Sequence, residues 1–198
     1  MGLIVLLSSR AGAAERQIKP FVGVTFGTST TFVDLEDVTG AKRDTSSKKN
    51  VMFGVGGAML WDLFGVDAEV AHAPGFFQSG AQPALVLASS VTTVAGNLVV
   101  TLPRRMTEYS LRPYFVGGAG LMRVRIDDVF GALKVHESLA MIDLGGGATG
   151  FVSDTWGVYW DVRYFRSFSR EAKGLSIAPE PLPERLSFWR ASMGIVLR

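Results

Sequence analysis

The sequence predicts an all-β protein, namely an eight-stranded antiparallel up-and-down β-barrel whose strands cross a membrane. Eight segments alternate apolar and polar residues with a period of two, which is typical of strands with two different faces. Short and long connections alternate between these segments, and the polar faces are rich in small residues. The 23 glycines among 198 residues argue against a helical bundle, because glycine weakens helix interiors.

Predicted strands 1 to 4 cover residues 19–27, 50–61, 66–71 and 92–102. Their apolar faces carry Pro20, Val22, Val24 and Phe26; Val51, Phe53, Val55, Met59 and Trp61; Val66, Ala68 and Val70; and Val94, Leu98, Val100 and Leu102. Their opposite faces carry Phe21, Gly23, Thr25 and Gly27; Asn50, Met52, Gly54, Gly56 and Ala58; Asp67, Glu69 and Ala71; and Thr93, Ala95, Asn97 and Thr101. The second set is mostly small or polar.

Predicted strands 5 to 8 cover about 112–123, then 139–152, 157–166 and 187–198. Strand 5 is apolar and glycine-rich on both faces, so its parity stays open. The apolar faces of the other three carry Ile142, Leu144, Ala148 and Val152; Val158, Trp160, Val162 and Tyr164; and Trp189, Ala191, Met193, Ile195 and Leu197. Their opposite faces carry Asp143, Gly145, Gly147 and Thr149; Tyr159, Asp161, Arg163 and Phe165; and Arg190, Ser192, Gly194 and Arg198.

The connections between the predicted strands alternate in length. Short ones lie at 62–65, 103–110 and 153–156, and long ones at 28–49, 75–90, 124–138 and 167–186. In an up-and-down barrel this alternation puts both termini and all short turns at one end. Membrane barrels are arranged in this way, with short periplasmic turns and longer extracellular loops.

Alternation alone does not separate a membrane barrel from a soluble, lipocalin-like one, but the polar faces favour the membrane form. An eight-stranded barrel has an interior just wide enough for side chains, and small residues fit it. The few charged residues on these faces have both signs, as a buried lumen requires. We therefore predict a lumen network of Asp67, Glu69, Asn97, Asp143, Asp161, Arg163 and Arg190, in which Asp161 pairs with Arg190 and Arg163 with Asp143.

Large aromatic residues near the ends of the apolar faces support the same orientation. They are typical of the aromatic belts at the two interfaces of a membrane. The predicted interfacial aromatics are Phe26, Trp61, Trp160, Tyr164 and Trp189, with Tyr114 added if strand 5 has the expected parity.

Four segments carry a resemblance to a known family: "KPFVGVTFG", "LRPYFVGGAGL", "LGGGATGFVSDTWGVYWDVRYF" and "FWRASMGIVLR". Over residues 18–198 the chain resembles the small eight-stranded outer-membrane barrels, the OmpA-like transmembrane domains or porin-family barrels. The resemblance implies a location in the bacterial outer membrane, contact with lipopolysaccharide and other outer-membrane lipid, and assembly by the barrel assembly machinery. Family members usually end on an aromatic residue, whereas this chain ends at Arg198.

The N-terminus and the composition bear on other possible classes of protein and of functional site. Residues 1–14 resemble the remnant of a secretory signal peptide, with cleavage after Ala14, and 15–198 form the predicted barrel domain. The net charge of +2 is too small to suggest a nucleic-acid partner, and the absence of cysteine excludes thiolate metal sites and cysteine nucleophiles. Residues 84–102 lack charge over nearly the length of a membrane helix, but their Val, Thr, Gly and Asn content favours a strand.

The sequence predicts no catalytic residue, cofactor or metal site. His136 beside Glu137 and Ser138 matches no enzyme motif, and Asp127 and Asp128 are interpreted as solvated loop charges. We expect a monomer with a structural or surface-interaction role, a lumen filled by side chains, and long loops that contact an unknown extracellular ligand. The alternatives are a narrow solute or ion pore, a lipid-modifying enzyme, and a soluble ligand-binding barrel.

Overall fold

Eight antiparallel strands close into one barrel in the structure, a computed structural model that describes residues 14–30, 50–76, 86–102, 111–128, 135–168 and 186–198. Each strand pairs with the next in sequence, and the last pairs with the first. The predicted fold class is confirmed. The strands are β1 (Glu15–Thr30), β2 (Asn50–Leu60), β3 (Phe64–Pro74), β4 (Val86–Thr101), β5 (Leu111–Asp128), β6 (Val135–Phe151), β7 (Trp156–Phe168) and β8 (Leu186–Leu197).

The segment considered as a membrane helix, 84–102, forms β4 from Val86 onwards. In the described ranges, no helix has the length and apolar character needed to cross a membrane. The predicted signal remnant lies outside the described residues except for Ala14.

The strands are strongly tilted against the barrel axis. A row of directly paired residues that starts at Ile18 in β1 returns to the same strand at Ser29. The row passes through Gly57, Ala68, Gly96, Ala119, Ile142, Arg166 and Ser187. This large stagger is what closure of a narrow barrel requires. We call the end with the start of β1 and the end of β8 the lower end, and the opposite one the upper end.

The outer surface of the barrel is apolar. Phe115 is 74% exposed, Leu98 70% and Leu144 68%, and large apolar side chains occupy outward positions on all eight strands. Most polar side chains of the same strands point into the lumen and are buried, whereas Arg16, Arg123, Arg125 and Arg166 are exposed. A surface of this kind is stable against lipid rather than water. The soluble-barrel alternative, which needs the apolar face inside, is therefore wrong.

The prediction of which residues point outward is wrong for strand 5. Tyr114 was predicted as an outward, interfacial aromatic, but it is buried in the lumen, and Phe115 takes the outward position. The reason is Arg112, which shares the parity of Tyr114. Its guanidinium donates hydrogen bonds to the carbonyl oxygens of Trp61 (2.7 Å) and Asp62 (2.9 Å) across the lower mouth of the barrel.

The strands at the upper end are longer than predicted. β4 begins at Val86, and the β5–β6 hairpin continues to Asp128 and Val135, so the undescribed connections there are only 77–85 and 129–134. The connection 129–134 is shorter than the lower-end connection 102–110, so the strict alternation of lengths is wrong at this hairpin. Arg123 and Arg125, predicted near or in the loop, lie in β5.

Candidate functional site

The lumen of the barrel holds the densest set of charged side chains in the described residues. The structure places all seven residues of the predicted network there, each no more than 5% exposed. Lys19, Tyr114 and Ser192 join them. We use "lumen network" for the full set, which is Lys19, Asp67, Glu69, Asn97, Tyr114, Asp143, Asp161, Arg163, Arg190 and Ser192.

Arg163 lies at the centre of the lumen network. Its Nε donates a hydrogen bond to Asp161 Oδ2 at 2.8 Å. Its Nη1 lies 3.4 Å from Glu69 Oε2, 3.6 Å from Asp67 Oδ1 and 3.7 Å from Asp143 Oδ2. One guanidinium thus faces four carboxylates from three strands. The predicted Arg163–Asp143 pair exists only as the longest of these contacts, and the closest partner is Asp161 on the same strand.

Arg190 joins strands that are not neighbours in the sheet. Its two terminal nitrogens form a bidentate pair with the Glu69 carboxylate, one of them at 3.0 Å. Its guanidinium carbon lies 4.6 Å from the ring centre of Phe21 and 5.1 Å from that of Phe165. Bidentate pairing and stacking between rings both favour arginine over lysine. The predicted partner, Asp161, is 3.9 Å away and secondary.

Asp67 anchors the lower part of the lumen network. Lys19 Nζ lies 2.7 Å from Asp67 Oδ2, and Asn97 Nδ2 donates to Asp67 Oδ1 at 3.0 Å. The Lys19 ammonium also lies 5.7 and 5.6 Å from the ring centres of Tyr114 and Tyr159. The sequence carried a signal for Lys19, because it shares the parity of Phe21, which was assigned to the lumen face. Tyr114 was missed because the parity of strand 5 was ambiguous.

Asp161 accepts the most hydrogen bonds of the four carboxylates. Besides the Arg163 bond, it accepts from the hydroxyl of Ser192 and from Tyr114 Oη, the latter at 3.3 Å. Strands β5, β7 and β8 are therefore all connected through this one side chain. Asp161 is a structural centre rather than a free nucleophile.

Asp143 differs from the other carboxylates. Both of its oxygens are buried, and neither accepts a hydrogen bond from the described residues. The lumen network contains three cations, Lys19, Arg163 and Arg190, against four carboxylates. Asp143 is thus the carboxylate with the weakest contact to a cation, 3.7 Å from Arg163 Nη1, and burial of such a group is costly.

We expect Asp143→Asn to keep or raise the free energy of unfolding, because it removes a buried charge without removing a hydrogen bond. Asp161→Asn is the matched control and should lower that free energy by about 2–3 kcal/mol, the usual loss for hydrogen bonds to a charged group. Urea titration of both variants in lipid vesicles measures the difference. A larger loss for Asp143→Asn than for Asp161→Asn would contradict this interpretation.

Above the lumen network, apolar side chains fill the upper half of the lumen. The Phe188 ring stacks on Phe165 at 5.1 Å between ring centres, and Phe76 packs edge-on against Phe188 at 5.2 Å. Gly75, with a φ of 66°, turns the chain at the end of β3 so that Phe76 folds over the lumen. We call this set the apolar plug: Met52, Phe76, Met122, Met141, Phe165, Leu186 and Phe188.

The lower mouth of the barrel is narrow and polar. A pocket there, with room for about one water molecule, is lined by Gln17, Lys19, Leu60, Val99, Thr101, Arg112, Tyr114 and Thr149. Arg112 lies across it, with its Nη1 3.6 Å from Glu15 Oε2. Glu15 also pairs with Arg198, whose guanidinium stacks on Phe151 at 3.3 Å. Both ends of the lumen are thus occupied by side chains.

The other predicted sites are placed as follows. Trp61, Trp160 and Trp189 are exposed on the outer surface, and Phe26 and Tyr164 lie outward and half-buried. Tyr164 packs against Trp189 across the β7–β8 pair, with ring centres 5.1 Å apart. Across the described part of the chain, no group of three or more His, Asp or Glu side chains is arranged to hold a metal ion. The side chains of Asp127, Asp128 and His136 lie outside the described residues.

A closed eight-stranded barrel with an apolar coat and a charged, filled lumen defines a small transmembrane barrel protein. The family model described as "Outer membrane protein beta-barrel domain" matches residues 1–178. The chain belongs to this family, and the protein is located in the bacterial outer membrane.

Solved structures share the fold at low sequence identity. Neisserial surface protein A has a TM-score of 0.64 at 10% identity, with 94% of this chain and 99% of that chain covered. OprG of Pseudomonas aeruginosa has 0.58 at 14%, covering 94% and 96%. Ail of Yersinia pestis has 0.52 at 15%, covering 94% and 100%. No curated protein matches the sequence.

Proposed function

We propose that the protein is a non-conducting outer-membrane barrel with a structural and surface-interaction role. The observation that carries the proposal is the occlusion of the lumen at two successive levels. Arg163 is 1% exposed and Arg190 0%, and the apolar plug lies directly above them. An eight-stranded barrel has an interior that side chains can fill completely. The filled lumen therefore supports a barrel that does not conduct.

The upper end carries the parts of the chain that would meet other molecules. We orient this end to the outside of the cell, since barrels of this class have short periplasmic turns and longer extracellular loops. Two of the upper connections, 31–49 and 169–185, are the longest in the chain. The first contains Lys42, Arg43, Lys48 and Lys49 beside several carboxylates, so it offers charge of both signs to a partner.

The surface role has a parallel in one structure of the same fold. Ail is described as an attachment invasion locus protein and was solved in complex with the heparin analogue sucrose octasulfate. We propose an extracellular ligand at the long connections of this protein too, together with contact with outer-membrane lipid and lipopolysaccharide, assembly by the barrel assembly machinery, and a monomeric state. The proposal assigns no catalytic role to any residue.

Planar bilayer recordings test the closed lumen. The purified protein is expected to give no unit conductance, and Asp143→Asn, which changes the lumen charge without removing a hydrogen bond, should be equally silent. Discrete current steps in the wild type whose size changes in Asp143→Asn would show that ions pass through the lumen. In that case the narrow-pore alternative would replace the proposal.

A further inference from the structure

We propose that three outward-facing arginines, Arg123, Arg125 and Arg166, bind the phosphate groups of lipopolysaccharide in the outer leaflet. We call these three residues the arginine belt. The inference rests on the orientation given under the proposed function, with the upper end outside the cell. It goes further by naming the phosphate groups as the part of lipopolysaccharide that is bound and the residues that hold them.

Strand alternation places the arginine belt on the outer surface. Met122 and Val124 of β5 are buried in the lumen, so Arg123 and Arg125 project outward, and both are exposed. On β7, Phe165 and Ser167 are buried, and Arg166 between them is exposed. β6 lies between the two strands, and Arg123 and Arg166 pair with Ser138 and Ile142 of β6, so their Cα atoms are about 16 Å apart. All three guanidinium groups therefore lie on one side of the barrel.

The arginine belt lies near the upper edge of the apolar coat, where Phe168 is the next outward residue above Arg166 on β7. On β5, Arg123 follows Leu121, which is exposed as part of the coat. On β7, Arg166 follows Tyr164, the partner of the interfacial Trp189. Arginine can lay its aliphatic stem along an apolar surface and keep its charged group at the interface. The arginine belt is thus at the height of the lipid headgroups of the outer leaflet.

The charge of the arginine belt is not neutralised by the described side chains around it. Within those residues, none of the three arginines forms an ion pair with a carboxylate. The residues paired with Arg123 in the neighbouring strands are Thr92 and Ser138, both uncharged. Glu137, a described acid of the same hairpin, shares the parity of the lumen-facing Leu139 and Met141.

Phosphate is the group that fits this arrangement. A guanidinium offers a planar pair of N–H donors that matches phosphate in a bidentate way, and several cations near one another favour a multiply charged anion. The phosphates of lipopolysaccharide lie at the level of the headgroups, opposite the arginine belt. Its acyl chains lie deeper in the membrane, opposite the apolar coat. Among the described outward positions, the lower end has no equivalent cluster of arginines. Arg16 is the one exposed arginine that the described strands carry at that end.

The test is lipopolysaccharide binding by the refolded full-length protein in detergent. The triple variant Arg123→Gln, Arg125→Gln, Arg166→Gln should bind about tenfold or more weakly, as expected for the loss of three interfacial cations. Arg16→Gln is the matched control, since it removes an outward arginine at the other end, and it should bind like the wild type. Removing the phosphates from lipopolysaccharide enzymatically should weaken its binding to the wild type. The loss of affinity should be at least as large as the loss caused by the triple substitution.

Three outcomes of the lipopolysaccharide binding measurements would overturn the inference. These are unchanged binding by the triple variant, an equal loss in Arg16→Gln, or equal binding of dephosphorylated lipopolysaccharide. Equally tight binding to phosphatidylglycerol vesicles would show a general anionic-lipid surface and would also overturn it. Heat-modifiable gel mobility verifies that each variant is folded, and Arg166→Gln alone replaces the triple variant if that one fails. The planar bilayer recordings test the closed lumen and do not depend on lipopolysaccharide binding. The proposed function and the arginine belt can therefore be refuted separately.

Discussion

Replacing Arg163 with methionine is expected to lower the free energy of unfolding by about 3–5 kcal/mol or to prevent folding, the usual result of breaking a buried ion network from one side. Arg163 is the cation nearest to Asp143, at 3.7 Å, and it donates a hydrogen bond to Asp161. Its loss leaves four buried carboxylates with two cations. The measurement is urea unfolding in lipid vesicles, followed by heat-modifiable gel mobility.

The control for this variant lies three residues away on the same strand. Arg166→Met removes the same kind of side chain from the outer surface, and its free energy of unfolding should stay within about 0.5 kcal/mol of the wild type. Adding Asp143→Asn to Arg163→Met should recover part of the loss, because it removes one uncompensated charge. Additive effects of the two substitutions would contradict the coupling that the lumen network requires.

Gly147→Ala is expected to destabilise the barrel by about 1–3 kcal/mol or more, the range for overpacking a filled interior. A Cβ atom at this position would lie 2.1 Å from the Trp160 carbonyl oxygen and 2.7 Å from Asp161 Cβ. The neighbouring strand would have to move, and Asp161 with it. Because Asp161 connects β5, β7 and β8, the displacement would spread through the lumen network.

Gly96→Ala is the matched control for Gly147→Ala. Gly96 faces outward, and an added Cβ meets no atom within 4 Å. The same urea titration should show little change for Gly96→Ala. Equal losses for the two variants would mean that the cost comes from the backbone preference of alanine and not from the crowded lumen.

The period-two pattern was sufficient to predict most of the architecture. It gave the number of strands, the inverted orientation and the seven charged or amide residues of the lumen, because each strand has one buried face and a shift by one residue would exchange the faces. Strand 5 was the exception. Gly117, Gly118 and Gly120 make both of its faces small, and in the structure Arg112, Tyr114 and Met122, which share one parity, all lie in the lumen.

The pairing inside the lumen could not be predicted in the same way. Sequence reasoning paired residues of adjacent strands, whereas Arg190 of β8 reaches Glu69 of β3 across the barrel. Such contacts depend on side-chain length and on the tilt of the strands rather than on register. The apolar plug was missed for a related reason, since Phe76 lies beyond the predicted end of its strand, and the positive φ of Gly75 directs it inward.

The contacts of Arg163 and Arg190 have a consequence for the order in which the barrel can be completed. The first six strands bring Asp67, Glu69 and Asp143 into the lumen with Lys19, which pairs with Asp67. The cations for Glu69 and Asp143 arrive only with β7 and β8. A partial barrel would therefore hold more uncompensated carboxylates at membrane depth than the closed one, so closure by the last two strands lowers the cost of placing the lumen in the bilayer.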